Sequence, residues 1–211
     1  MRPRPVRSLL LVAITIALLP PMSTADAVPM VFGTTLSAGN EVPPTASPGA
    51  GTAVVVLDPT AQTLQVIASF FGLTTPDTAA HIHCCAPLGT NAGVATTLPA
   101  FPAFAGFPGF PLGVTQGTYL SPPFSLTDPL IYNPAFVTAQ GGLPQAEAAL
   151  IAGIENDQTY FNIHTTANPG GEIRGQLEPL GAVPEPTTLL LLGTTLTGLG
   201  FANRWRQRRQ V

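Results

Sequence analysis

Along the middle of the chain apolar and polar residues change places at every second position, and clusters of Pro, Gly, Asp and Thr interrupt the alternation. TAVVVLD (52–58) and TLQVIASFFGL (63–73) are β-branched runs joined by PTAQ, a strand–turn–strand signal. AAHIHC, ATTLPA, TYLSPPFSL, TYFNIH and GEIRGQLE supply further short strands, with Pro and Gly marking the turns between them. One stretch has a helical period. In LPQAEAALIAGIEND (143–157), Ala146, Leu150 and Ile154 recur at four-residue spacing, Pro144 suits a first turn and Gly153 lies near the end. Many short strands and one short helix predict an all-β domain, an immunoglobulin-like β-sandwich or barrel with the helix as its cap.

LPAFPAFAGFPGFPLG (98–113) breaks the alternation. Phe101, Phe104, Phe107 and Phe110 fall on every third residue, and Pro99, Pro102, Pro108 and Pro111 exclude a helix and most sheet pairing. An extended polyproline-like strip with phenylalanines on one side satisfies this period. It either packs over an open end of the domain or offers a sticky surface to a matrix partner or a second copy.

The two ends of the chain follow other rules. Residues 1–27 carry Arg2, Arg4 and Arg7, an apolar run from Leu9 to Leu19, Pro20-Pro21 and the triplet Ala25-Asp26-Ala27. That order is a secretory signal peptide, with cleavage expected after Ala27. Residues 183–211 open on Val183-Pro184-Glu185-Pro186, continue through an apolar stretch from Leu189 to Ala202, and close on Arg204, Arg206, Arg208 and Arg209. A stretch of fourteen residues is short for a bilayer span that needs about 20. A weak transmembrane helix, held at its basic end in the cytoplasm, is therefore expected to anchor the chain transiently in the inner membrane. Between the tails, residues 28–181 hold one basic residue, Arg174, against nine acidic ones, a net charge of −8. So acidic a domain has no electrostatic footprint for nucleic acid.

The C-terminal pattern resembles the PEP-CTERM sorting signal of Gram-negative bacteria. The resemblance implies processing near Pro184, Glu185 and Pro186 by an exosortase-type enzyme, and delivery to the cell surface or extracellular matrix, where polysaccharide is an expected neighbour. Residues 28–181 resemble a CHRD (chordin-type) domain. The residues that carry this are Glu41-Val42-Pro43-Pro44, Ala80-His81-Ile82-His83, Asn162-Ile163-His164 and Pro169-Gly170-Gly171-Glu172-Ile173-Arg174-Gly175. It implies an immunoglobulin-like extracellular module with no established enzymatic activity. Cys84-Cys85 departs from the family pattern, in which Gly-Pro commonly follows the second histidine, so no family role extends to these cysteines.

Strand parity places the chemistry. His81 and His83 share one face of their strand, opposite Ala80 and Ile82; Tyr160, Asn162 and His164 share another, opposite Phe161 and Ile163. Glu172, Arg174 and Gln176 alternate with Ile173, Gly175 and Leu177, and TTANPGG suits a hairpin that would bring Glu172 or Arg174 across from His164. If these strands are neighbours, His81, His83, His164 and Glu172 converge on a site for zinc or copper. The plainer alternative is a hydrogen-bonded polar face with Arg174 paired to Glu172. Adjacent Cys84 and Cys85, in an exported protein, are expected to form a vicinal disulfide or to lend soft ligands to the same site. No G-x-S-x-G motif, phosphate loop or carboxylate pair can be assembled, and three histidines are too few for a bimetallic dismutase site. A non-enzymatic structural or adhesive protein is the leading expectation, and a metal-dependent redox or binding module the second.

Overall fold

A computed structural model describes residues 28–97 and 107–181. The expected signal peptide, the sorting tail with its apolar helix, and Phe101 and Phe104 lie outside these residues. Ten strands form in the order β1 Met30–Ser37, β2 Ala50–Asp58, β3 Thr63–Phe71, β4 Asp77–Cys84, β5 Gly93–Val94, β6 Gly117–Leu120, β7 Phe124–Ser125, β8 Thr159–Thr165, β9 Ile173–Gln176 and β10 Glu178–Pro179. Two helices, α1 Pro134–Gln140 and α2 Leu143–Glu155, stand between β7 and β8.

The domain is mostly β, as the alternation requires, but its architecture differs from a two-sheet sandwich. All ten strands join one sheet in the order β5-β4-β8-β9-β1-β2-β3-β6, with β10 added beside β1 and β7 beside β3. Every pairing is antiparallel, and the sheet curls into a half-barrel. Alternation assigns one apolar face to each strand; it carries no information on whether the faces meet across two sheets or inside one curved sheet. ATTLPA does not pair as a strand, contributing among the described residues a single bridge, Thr96 with Tyr132.

The inner face is the core. Phe32, Leu36, Val55, Leu57, Leu64, Val66, Ile82, Phe161, Ile163 and Ile173 are buried there, as are Ala146, Leu150 and Ile154 of α2. Phe107 and Phe110 are buried with them: Phe107 stacks on Phe161 at 6.0 Å and Phe110 on Phe70 at 5.6 Å between ring centroids. The described half of the aromatic strip is thus core. α1 was not visible in the periodicity because it spans two turns, although Asn133 caps it by accepting from the Ala135 N–H at 3.0 Å and Gly141 ends it in the left-handed conformation. Gly153 is a packing residue: a Cβ there would stand 2.5 Å from Cys84 Sγ and 3.1 Å from Cys85 Sγ. These two cysteines are bridged to each other, Cys84 on the core side under α2 and Cys85 exposed.

Candidate metal centre

Two neighbouring strands, β4 and β8, carry the histidines to one place, and β9 lies beside them. β4 and β8 pair with His81 opposite Asn162 and His83 opposite Tyr160, while His164 faces Ala79. β8 and β9 pair with Asn162 opposite Arg174 and Tyr160 opposite Gln176. Directly paired residues project to the same side, so these polar groups all stand on the face away from the core. They are nevertheless buried, with His81 4%, His83 6% and His164 8% exposed.

The ligand atoms of His81, His83 and His164 all lie within 4.8 Å of one another. His83 Nδ1 is 2.9 Å from the Ala92 carbonyl oxygen and His164 Nδ1 is 3.0 Å from that of Pro169. A carbonyl can only accept, so both Nδ1 atoms carry the hydrogen and both Nε2 atoms present a bare lone pair. Those two Nε2 atoms face each other at 3.3 Å. Two lone pairs so placed repel unless a cation or a proton sits between them. Two imidazoles bound at about 2.0–2.1 Å to a tetrahedral ion have their nitrogens about 3.4 Å apart, which matches the observed spacing. His81 has no hydrogen-bond partner on either ring nitrogen among the described residues, which leaves its ring free to turn toward the pair.

Protonation cannot relieve the repulsion cheaply. Burial, reinforced by its two neighbours, pushes His81 down to about 3, and burial pushes His83 down to about 4, with the Ala92 bond opposing and His164 and Arg174 adding to it. Burial lowers His164 as well, against the Pro169 bond. Three neutral imidazoles at neutral pH are a competent donor set for a borderline or soft metal ion.

The surrounding groups hold this set in place. Tyr160 stacks on His83 at 4.6 Å, accepts from the Ala92 N–H at 3.1 Å, and carries the Arg174 guanidinium 4.4 Å over its ring. Arg174 in turn donates to the Asn40 carbonyl at 2.6 Å and to Asn91 Oδ1 at 2.7 Å.

Glu172 is not part of the cluster. It precedes β9, where Gly171, at φ 130°, turns the chain, and its carboxylate points to the opposite side of the sheet. There it accepts from Ser47 Oγ, the Thr74 N–H and Oγ1, Thr165 Oγ1 and Asn168 Nδ2 over 2.5–3.2 Å. These bonds outweigh burial and hold its acid well below the usual range, at about 2. Nor does Arg174 pair with Glu172. The carboxylate beside the guanidinium is Glu41, with Oε2 4.0 Å from Arg174 Nε. Glu41 is 5% exposed, and burial raises it to about 7 although Arg174 and the Asn162 amide counter the shift. Parity could not find Glu41, which reaches the site from the turn after β1, far away in sequence.

Fold and site together define an all-β domain whose sheet carries a buried imidazole triad on its outer face. A family description of the CHRD domain matches residues 32–177, and the chain belongs to that family. The PEP-CTERM protein-sorting motif matches residues 182–209, so this is an exported CHRD-domain protein sorted by an exosortase to the cell envelope or beyond. No curated protein and no solved structure matches the chain.

Proposed function

We propose that the domain is a metal-binding module, displayed outside the cell, that holds one copper or zinc ion on His81, His83 and His164. The observation that carries this reading is the pair of Nε2 lone pairs held 3.3 Å apart by Nδ1 bonds to backbone carbonyls. A structural or adhesive role in the envelope or matrix is compatible with it. That second role is favoured by an exposed apolar patch on β3 and β6, where Ile67 pairs with Leu120 and Phe71 continues the same face.

Elemental analysis of protein recovered from the periplasm or medium tests the first reading. One equivalent of copper or zinc is expected, and it is expected to vanish in the His81→Ala, His83→Ala double variant. Metal-free wild-type protein that takes up neither ion on titration sinks the reading.

A further inference from the structure

A buried site needs a way in. Beside the triad, two further buried acceptors have no hydrogen-bond partner among the described residues: Glu41 Oε1 and Asn162 Oδ1. They converge, since a Cβ placed on Gly171 would lie 2.8 Å from each, with the Asn162 amide nitrogen nearer still. Glycine at 171 keeps that spot open. Asn162 is 1% exposed and is the cross-strand neighbour of His81, whose two ring nitrogens are the other unpartnered atoms of this face. On its far side the spot adjoins a surface cavity of about 460 Å³ lined by Glu41, Asn91, Pro169 and Gly171.

Orphaned buried acceptors are costly, and one alone decides nothing. Here they form a row, cavity to Glu41 to Asn162 to His81, in which each group presents an oxygen or ring nitrogen without a partner among the described residues. Arg174 faces the other carboxylate oxygen, Oε2, at 4.0 Å and leaves Oε1 turned to the spot beside Gly171. We infer that Glu41 Oε1 and Asn162 Oδ1 form an outer transfer site, which takes a divalent cation from the cavity and passes it to His81. The inference rests on the metal-binding reading and adds the route by which the ion arrives.

The test is the rate at which purified protein, stripped with a chelator, takes up Zn²⁺ or Cu²⁺ from a chromophoric indicator in a stopped-flow mixer. Glu41→Gln preserves shape and removes the charge. It is expected to slow uptake about tenfold while stoichiometry stays at one and equilibrium affinity moves less than about twofold. Glu155→Gln, an exposed acid on α2, subtracts the same charge elsewhere and is expected to leave the rate unchanged. Glu41→Asp, which keeps the charge on a shorter arm, gives an intermediate rate and guards against a folding defect in the first variant. Equal uptake rates in wild type and Glu41→Gln overturn the transfer site and leave the triad standing. Equal slowing in Glu155→Gln overturns it too, because bulk charge then explains the rate. Wild-type protein that binds no metal removes both.

Discussion

Replacing Glu172 distinguishes a carboxylate that holds loops together from one that holds a metal. Five hydrogen bonds end on its two oxygens, from the segment after β1, the loop after β3, the end of β8 and the β8–β9 turn. A bond to an ionised acceptor contributes about 1.5–3 kcal/mol, but desolvating the carboxylate costs several kcal/mol in return, so the five do not sum. In Glu172→Gln the amide oxygen can take over the Oε1 position and serve the Thr74 N–H, the Thr165 hydroxyl can turn to accept, and half-buried Asn168 can turn to water. The expected loss is about 1–3 kcal/mol. Glu172→Ala leaves the Thr74 N–H and several hydroxyls unpaired beside a void, a loss of about 3–5 kcal/mol. In a domain of this size that lowers Tm by roughly 6–20 °C. Thermal melting followed by far-ultraviolet circular dichroism reads the shift, and metal analysis of the Gln variant, expected to be unchanged, reads the site. An Ala variant that melts within about 2 °C of wild type refutes the hub. A Gln variant that melts normally yet loses its metal returns Glu172 to the ligand set.

The remaining predictions concern charge, packing and the tail. His81 and His83 bind protons less readily folded, at about 3 and about 4, than unfolded, at 6.5. The metal-free domain is therefore expected to lose stability progressively as pH falls below 6.5. Glu41 has the opposite sign: its folded value of about 7 exceeds 4.5, so it erodes stability as pH rises through that window. Melts of the metal-free wild type and Glu41→Gln across pH 4.5–8 should show the variant gaining on the wild type as pH rises from 4.5 to 7, with a constant difference above that; a difference that does not change with pH refutes the assignment. Gly153→Ala should cost about 1–3 kcal/mol by pushing α2 off the cysteine pair, and a Cys84→Ala, Cys85→Ala background should remove most of that penalty; additive losses would show that the contact is not the cause. Deleting Pro184, Glu185 and Pro186 should retain the protein in the membrane fraction, and unchanged release on fractionation would contradict exosortase-dependent processing.

Much of this fold is legible in the sequence, and what is not has physical causes. β2, β3, β4, β8 and β9 follow from strict alternation, and α2 from Ala146, Leu150 and Ile154, all buried. The histidines share a face because parity along a strand is a local property. β1 gives no such signal: Phe32 and Leu36 point inward, but Gly33, Thr34 and Thr35 separate them with little apolar contrast. Parity does not place Glu172, because it lies one residue before β9, where Gly171 turns the backbone. Glu41 was beyond any local rule, since its neighbours Asn162 and Arg174 come from β8 and β9. Local pattern determines which side of a strand a residue takes; which distant turn closes over that side is decided only when the sheet curls.

The pairing of β10 with β1 gives the domain a foot and a head. Phe32 lies opposite Pro179 and Gly33 opposite Glu178, whereas Ser37, at the other end of β1, lies opposite Arg174 and leads on to Glu41. Roughly 17 Å of extended chain separates the two ends. The sorting motif begins at residue 182, just past the foot. A chain leaving the domain at the foot therefore starts from the end of β1 opposite the one that leads on to Glu41.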